Sequence, residues 1–338
     1  MRILLAGLLA AAGLLATVQA QALSITTDQP PATSLADGRT GTIAFTAPTP
    51  KSYRDFIDRR VAETSTIAGV LTLPTYAKGP VPALVIVHGS SGVVPNDFEW
   101  AKRVNGWGIA AFVIDNFTGR GITETATDQG RLSSMADVAG ALAALKLLAT
   151  HPGIDPKRIG VLGFSRGGTV ALDSAFEPLR KAMIDGDLRF AVHIPFYVSC
   201  SIPYVSAHLD GAPMLMLLGG KDDYTPSAPC LPFADRLRKS GEPVTVIVYP
   251  NAYHAFDVDM RVRLFPKPTS ARNCHGQVDM DQRLFTMQHG GQTVSGAAAM
   301  NELRDCIEHG VMMGGDDEAR AKAPGDVAAF LKANGMMP

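Results

Sequence analysis

The chain has 338 residues, 46% of them apolar and 19% charged, so it can bury a full hydrophobic core and is neither disordered nor fibrous. Its 31 Lys and Arg residues balance 32 Asp and Glu residues, which gives a formal net charge of −1. A near-neutral chain without a basic run lacks the electrostatic signature of a nucleic-acid-binding protein. We therefore expect a small-molecule substrate and no nucleic-acid partner.

Residues 1–22 have the layout of a cleavable secretory signal. Arg2 precedes the apolar run ILLAGLLAAAGLLATV, which is shorter than the ~20 residues that a membrane span needs. Small residues at A-x-A spacing follow, so we expect cleavage after Ala20 or Ala22. The pattern predicts a periplasmic or secreted protein with no stable membrane insertion after cleavage; the alternative is a single membrane anchor.

The stretch at 23–40 is polar and turn-rich, which predicts a leader that is loose or that becomes ordered late. Beyond it, strands and helices alternate. Strands are predicted at 42–45, 65–73, 83–87, 109–114, 159–162, 190–198, 213–218 and 244–249. Helices are predicted at 97–104, 134–149, from 168 onward and at 233–239, with a turn at 151–158. This alternation predicts an α/β fold with a doubly wound, mostly parallel sheet and helices on both faces.

After residue 256 the regularity fades. Residues 257–320 contain helix-compatible pieces, such as 297–307, among Gly-rich stretches, and form an elaborated C-terminal segment that is a candidate cover over the site. A final helix at 327–332 is expected to pack on the sheet. Because no internal repeat is evident, residues 23–338 are predicted to be one domain.

A candidate nucleophile lies in the sequence GFSRG at 163–167, which matches G-x-S-x-G and is centred on Ser165. The apolar strand IGVL precedes it and a helical pattern follows, as the strand–turn–helix of a nucleophile elbow requires. The glycines allow a sharp turn that presents the serine at the end of the strand. The alternative is an ordinary Gly-rich turn.

A serine hydroxyl needs a base, and the base needs an acid that orients it. The strand at 213–218 runs into Asp222 and Asp223, and the strand at 244–249 runs into His254. The order Ser, acid, His and the positions after strand ends suit an α/β-hydrolase triad, in which we prefer Asp222 over Asp223. His88 also ends a strand, but it precedes the nucleophile, so we expect it to shape its own loop.

The tetrahedral intermediate needs two hydrogen-bond donors for its oxyanion. One is expected to be the backbone N–H of Arg166, directly after the nucleophile. The other is expected from the loop HGSSG at 88–92, with Ser90 preferred. Ser91 is the next candidate and a possible substrate contact.

Five stretches resemble the dienelactone hydrolase family of α/β-hydrolases: VIVHGSSG, IDNFTGRGI, RIGVLGFSRGG, LLGGKDDYTPSAPC and YPNAYHAFD. They span roughly residues 80–257. The resemblance implies hydrolysis of a carboxylic ester or lactone through an acyl-enzyme, without a metal or organic cofactor. It also implies that Asp222, rather than Asp223, is the triad acid.

This chain departs from the family pattern at several positions. The best-known dienelactone hydrolases have a Cys nucleophile and a Glu in the first loop, where this chain has Ser165 and Gly89. The family arginine that binds the substrate carboxylate falls on Val258. Arg120 could contact an acid group of the substrate, or it could form a structural salt bridge. We expect a Ser-dependent esterase whose substrate is not dienelactone itself.

Cys200, Cys230, Cys274 and Cys306 form an even set, which suits an oxidising compartment. The sequence contains no CxxC or HExxH spacing, so it does not predict a metal site. Cys200 and Cys230 lie on the same predicted face, so we favour a bridge between them that fixes the Asp222 loop. The pair Cys274 and Cys306 would then staple the C-terminal segment.

The leading hypothesis is an esterase or lactonase. A prolyl-oligopeptidase-type peptidase shares the fold and triad, but the N-terminal stretch before the first hydrolase-like strands is too short for the propeller domain of those enzymes. A non-catalytic binding protein on the same fold is the alternative from another class.

Overall fold

The computed structural model describes residues 22–76, 78–205 and 208–337. Its central sheet contains eight strands: β1 (Gly41–Pro48), β2 (Thr64–Thr72), β3 (Val81–Val87), β4 (Ala110–Asp115), β5 (Ile154–Phe164), β6 (His193–Phe196), β7 (Met214–Gly219) and β8 (Val244–Tyr249). Their order across the sheet is β1-β2-β4-β3-β5-β6-β7-β8. From β4 to β8 all neighbouring strands are parallel, whereas β2 is antiparallel to both β1 and β4.

The helices surround this sheet, and a set of short strands follows it in the chain. The helices are α1 (Tyr53–Ile57), α2 (Pro95–Gly106), α3 (Ser134–Leu148), α4 (Arg166–Asp173), α5 (Glu177–Met183), α6 (Cys230–Lys239), α7 (Gly296–Asp305) and α8 (Asp317–Ala333). The later strands are β9 (Arg263–Ser270), β10 (Gly276–Asp279), β11 (Leu284–His289), β12 (Gln292–Ser295) and β13 (Glu308–Met313).

Both faces of the central sheet are buried. Val85 of β3 belongs to the apolar cluster that contains Val138 of α3. Its neighbour Leu84 belongs to the opposite cluster, with Trp100 of α2 and Val327 of α8. Successive side chains of a strand point to opposite faces, so a continuous apolar run predicts this double coverage. The predicted doubly wound α/β-hydrolase fold and the packing of the last helix on the sheet are confirmed.

Two predicted boundaries are wrong for local reasons. The strand predicted at 190–198 is limited to β6, because Tyr197 adopts a φ of 35° and turns the chain. The turn predicted at 151–158 is partly strand, since β5 already begins at Ile154. The short helices α1 and α5 were not predicted.

Residues 23–40 are not the loose leader that their composition predicts. The Leu23 N–H donates to Val93 O at 2.7 Å, and the Ile25 N–H donates to the Asp115 carboxylate at 3.0 Å. Ile25 and Leu35 are buried in the two apolar clusters. Two buried apolar side chains of this segment and the buried carboxylate of Asp115 therefore hold it against the domain. The polar average composition of the segment gave no indication of these contacts.

The segment 257–320 is mainly β-structure, which corrects the expectation of helical pieces among irregular stretches. β13 pairs with β9, and β11 pairs with β10 and β12, all antiparallel. Only α7 lies close to the predicted helix at 297–307. The strands escaped prediction because they are short and mostly exposed, so their apolar residues do not alternate cleanly.

The favoured disulfides, Cys200–Cys230 and Cys274–Cys306, are both present. Such bonds form and persist in oxidising compartments, so they fit an extracellular or periplasmic protein. The predicted signal at 1–22 lies outside the described residues apart from Ala22. Within the described part of the chain, no helix has the length and apolarity that a bilayer crossing requires.

Candidate active site

The turn from β5 into α4 holds Ser165 in a strained conformation, with φ 55° and ψ −112°. A Cβ atom on Gly163 would lie 1.9 Å from Gly167 O, and one on Gly167 would lie 2.1 Å from Val87 O. A Cβ atom on Gly168 would lie 2.5 Å from Phe196 O. Glycine is therefore the residue that fits all three positions, and the tight turn projects Ser165 from the end of the strand.

The three residues predicted as a triad form one hydrogen-bonded chain. His254 Nε2 lies 2.9 Å from Ser165 Oγ, and His254 Nδ1 lies 2.8 Å from Asp222 Oδ2. His254 and Asp222 are buried, whereas Ser165 is half-buried. The histidine can therefore accept the serine proton at Nε2 while its Nδ1–H donates to the carboxylate.

The two adjacent aspartates have different partners. Asp222 Oδ1 accepts the backbone N–H groups of Tyr224 and Thr225 at 2.8 and 2.9 Å, which hold the carboxylate in place. Asp223 instead accepts the Met312 N–H of β13 at 2.8 Å. Of the two side chains, Asp222 is the one hydrogen-bonded to His254, and Asp223 is attached to β13.

Thr225 gives this histidine–carboxylate pair additional support. Its hydroxyl donates to Tyr197 O at 2.8 Å, and its oxygen lies 3.0 Å from His254 Nδ1 and 2.9 Å from Asp222 Oδ2. Thr225 was not among the predicted site residues, although it lies in the DDYT loop beside the acid.

The loop after β3 lies against the nucleophile. A Cβ atom on Gly89 would be 3.5 Å from Ser165 Cβ, so the backbone of the loop directly borders the serine. Ser90, the preferred donor, is buried, and its carbonyl accepts the Thr125 N–H at 2.7 Å. Arg166 is the first residue of α4, where a backbone N–H has no acceptor within its helix.

His88 shapes this loop, as expected from its position at the end of β3. Its Nε2 accepts the Asn116 N–H at 3.1 Å, and its Nδ1–H donates to Gly89 O at 2.8 Å. Burial lowers the pKa of the His88 imidazole, so the neutral form that can accept this hydrogen bond is favoured.

Arg120 is not available to bind a substrate acid group. Its Nε donates to Thr49 Oγ1, its Nη1 to the carbonyl and side-chain oxygens of Asn116, and its Nη2 to Pro48 O and Ala136 O. All five guanidinium N–H donors therefore have protein acceptors. These acceptors are uncharged, so the alternative of a salt bridge is wrong as well.

The side chain of Arg166 has a structural role that sequence reasoning missed. Its Nε donates to Asp137 Oδ2 at 2.6 Å, and both side chains are buried. Its Nη2 donates to Leu132 O at 2.6 Å, and its Nη1 lies 3.0 Å from Gln129 Oε1. The residue after the nucleophile thus fixes the loop at 129–132. Ser91, the predicted substrate contact, is exposed.

A buried polar cluster supports the histidine from the other side. The Tyr197 ring packs against the His254 ring, with 4.7 Å between centroids, and its hydroxyl donates to Asp257 Oδ1 at 2.8 Å. Asp257 Oδ2 accepts from Asn96 Nδ2 and Trp100 Nε1, both at 2.8 Å. The loop after His254 is thereby attached to α2.

Asp97 lies next to this cluster and makes a pH-dependent contribution to stability. Its Oδ2 accepts the Val94 N–H at 2.7 Å, while Oδ1 has no partner in the described part of the chain. Burial, reinforced by the charge of Asp257, raises the pKa of Asp97 to about 7. The pKa of Asp97 is higher in the folded than in the unfolded protein. The free energy of unfolding therefore falls as pH rises from about 4 to about 7, by at most ~4 kcal/mol.

We therefore expect Asp97→Asn to stabilise the protein at high pH. The amide can still accept the Val94 N–H, but it carries no charge that burial would penalise. The Tm of the variant should exceed that of the wild type by at least ~4 °C at pH 8.5 and match it at pH 4.5. Thermal unfolding at the two pH values tests this; an equal difference at both would mean that Asp97 titration is not the cause.

Among the described residues, no group of three or more His, Cys, Asp or Glu side chains is arranged to hold a metal ion.

Comparison with known proteins connects this geometry to a family. The dienelactone hydrolase family model matches residues 67–276. A protein of Methylorubrum extorquens named "Putative carboxymethylenebutenolidase" is 29% identical over 192 residues, which are 54% of this chain and 66% of that protein.

Two solved structures share the fold. A dienelactone hydrolase-like promiscuous phosphotriesterase from metagenomic libraries is 16% identical with a TM-score of 0.54, over 87% of this chain and 98% of that one. Thermogutta terrifontis esterase 2 phosphonylated by cyclosarin is 15% identical with a TM-score of 0.53, over 80% and 90%.

The family match covers well over half of this chain and includes the nucleophile elbow, the acid loop and the histidine. The parallel sheet and the order of its strands agree with that match. This chain therefore belongs to the dienelactone hydrolase family and is a carboxylic ester hydrolase.

Proposed function

We propose that the protein cleaves a carboxylic ester or lactone through an acyl-enzyme on Ser165. The observation that carries this proposal is the continuous chain from Ser165 Oγ to His254 Nε2 at 2.9 Å and from His254 Nδ1 to Asp222 Oδ2 at 2.8 Å. This arrangement matches the geometry that converts a serine hydroxyl into a nucleophile.

In the first half-reaction, Ser165 Oγ attacks the ester carbonyl carbon and its proton moves to His254 Nε2. The carbonyl oxygen becomes an oxyanion, which accepts hydrogen bonds from the backbone N–H groups of Ser90 and Arg166. When the intermediate collapses, the alkoxide leaves with the proton from His254. Asp222 holds the imidazole orientation and stabilises its transient positive charge.

In the second half-reaction, His254 Nε2 takes a proton from a water molecule, whose oxygen attacks the acyl carbon. Collapse of this second intermediate breaks the bond to Ser165 Oγ, which regains a proton from His254. The carboxylic acid then leaves, and the enzyme returns to its starting state.

The segment 257–320 forms part of the same domain in this proposal and borders the substrate site. The Thr269 N–H donates to Ala126 O at 2.8 Å, and Ser270 Oγ donates to Tyr224 O at 2.7 Å. β9 thus joins the loop at 117–132 to the acid loop, which supports a role in closing one side of the site.

The preferred substrates in this proposal have a neutral acyl group. Val258 stands where a carboxylate-binding arginine would be, and Arg272 is paired with Glu308 at 2.6 Å. Arg166 is paired with Asp137. These guanidinium groups are neutralised by the protein, which disfavours substrates such as dienelactone that carry their own carboxylate.

We also propose a periplasmic or secreted location, with residues 1–22 as a cleaved signal. The two disulfides support an oxidising compartment. The partner in this proposal is a small ester or lactone substrate, with no nucleic-acid partner.

Hydrolysis of p-nitrophenyl esters tests the proposal. The protein should hydrolyse p-nitrophenyl acetate and butyrate, with kcat/KM for the butyrate at least ~10-fold above that for the mono-p-nitrophenyl ester of succinic acid, because desolvating an unpaired carboxylate opposes binding. Inertness toward all three, with cleavage of a peptide p-nitroanilide, would favour a peptidase. Inertness toward every substrate would favour a binding protein.

A further inference from the structure

The side-chain amide of Gln129 lies between the side chains of Ser90 and Arg166, the two residues whose backbone N–H groups are the proposed oxyanion donors. Its Oε1 accepts from Arg166 Nη1 at 3.0 Å, and its Nε2 donates to Ser90 Oγ at 3.0 Å and to Tyr224 Oη at 3.3 Å. A guanidinium can only donate, so Arg166 fixes the oxygen of the amide on its own side. The nitrogen must therefore face the two hydroxyl groups.

This polarity determines what the two hydroxyl groups can do. Each accepts one hydrogen from Gln129 Nε2 and keeps one hydrogen to donate. The Ser90 hydroxyl can donate its hydrogen to Gln129 Oε1, which lies 3.3 Å from Ser90 Oγ. The Tyr224 hydroxyl is left with a hydrogen for another acceptor.

The pair lies at the proposed site. Gly89, which precedes Ser90, directly borders the nucleophile, and the Tyr224 ring lies 4.6 Å from the His254 ring between centroids. The backbone of Tyr224 is fixed on both sides, since its N–H donates to Asp222 Oδ1 and its carbonyl accepts from Ser270 Oγ. The phenol is therefore held in place before a substrate arrives.

We propose that the Tyr224 hydroxyl, oriented by Gln129, donates a hydrogen bond to the substrate oxyanion in addition to the two backbone N–H groups. Tyr224 is then a catalytic residue and Gln129 a positioning residue. This inference rests on the proposed ester hydrolysis and adds a donor to it. Burial also raises the pKa of the Tyr224 phenol to about 12, so the group keeps its hydrogen at neutral pH.

Tyr224→Phe tests the donor directly, because it removes the hydroxyl and keeps the ring against His254. With p-nitrophenyl butyrate we expect kcat to fall at least ~10-fold with KM within about twofold, since the hydrogen bond is strongest in the transition state. Tyr249→Phe is the matched control. The hydroxyl of Tyr249 donates to Asp326 of α8, and its loss should leave kcat unchanged.

Gln129→Glu separates positioning from simple packing. The carboxylate keeps the size of the amide and its contact with Arg166, but its second oxygen accepts hydrogen bonds and so draws the hydroxyl hydrogens of Ser90 and Tyr224 away from the substrate. We expect kcat to fall as far as in Tyr224→Phe, with no loss of thermal stability. The variant that combines Tyr224→Phe with Gln129→Glu should have a kcat within about threefold of that of Tyr224→Phe alone.

A Tyr224→Phe enzyme within twofold of wild type in kcat would overturn the inference while leaving the proposed function intact. A Gln129→Glu enzyme with wild-type kcat would overturn the positioning role. A wild-type protein that hydrolyses no ester would overturn the proposed function, and the inference with it.

Discussion

Replacing Ser165 with alanine is expected to lower kcat for p-nitrophenyl butyrate by roughly 10⁴- to 10⁶-fold. The methyl group removes the atom that attacks the ester, so only binding and oxyanion stabilisation remain to accelerate direct attack by water. The strained turn should persist, since alanine adds no atoms to a position closed in by three glycines. Steady-state kinetics with the folded variant, verified by its thermal unfolding, measures the effect.

The matched control is His254→Ala, alone and combined with the serine change. Because the two side chains act as one unit, kcat of the double variant should lie within about threefold of kcat of Ser165→Ala. A Ser165→Ala protein within tenfold of wild type would contradict the assignment of the nucleophile.

Replacing Asp222 with asparagine is expected to lower kcat by roughly 10³- to 10⁴-fold. The amide nitrogen can donate to His254 Nδ1, which forces the hydrogen of the neutral imidazole onto Nε2 and removes the base facing Ser165. The backbone N–H groups of Tyr224 and Thr225 can still bond the amide oxygen, so the loop should keep its conformation. Comparison of kcat/KM across pH 6–9 measures the loss.

The adjacent carboxylate supplies the control for this prediction. Asp223→Asn keeps an oxygen for the Met312 N–H and does not touch His254, so kcat should stay within about threefold of wild type. If the Asp223 variant lost activity while Asp222→Asn kept it, the assignment of the acid would have to be reversed.

The central sheet could be predicted because its strands carry strong, redundant signals. The run at 83–87 is apolar at every position, and only a strand covered on both faces needs such a sequence. The triad candidates were equally visible, since each follows a strand end in a fixed order. The apolar strand runs and the order of the triad residues can both be read from a single sequence, so they can be predicted without a structure.

Contacts between distant segments could not be predicted. The five acceptors of Arg120 come from four separate residues, and three of them are backbone carbonyls, which carry no residue signature. Gln129 lies in a polar loop where nothing distinguishes it from its neighbours, and its role arises from Arg166 and Ser90 meeting in the fold. Similarly, a single buried carboxylate at Asp115 helps to dock the segment at 23–40.

The most direct test of the account is to locate the covalent bond that the nucleophile forms. The protein is incubated with an organophosphate that has a p-nitrophenolate leaving group, and its intact mass and peptides are then measured. We expect one phosphoryl adduct per chain, on the peptide that contains Ser165, and no adduct in Ser165→Ala. An adduct on another residue, or equal labelling of wild type and Ser165→Ala, would contradict it.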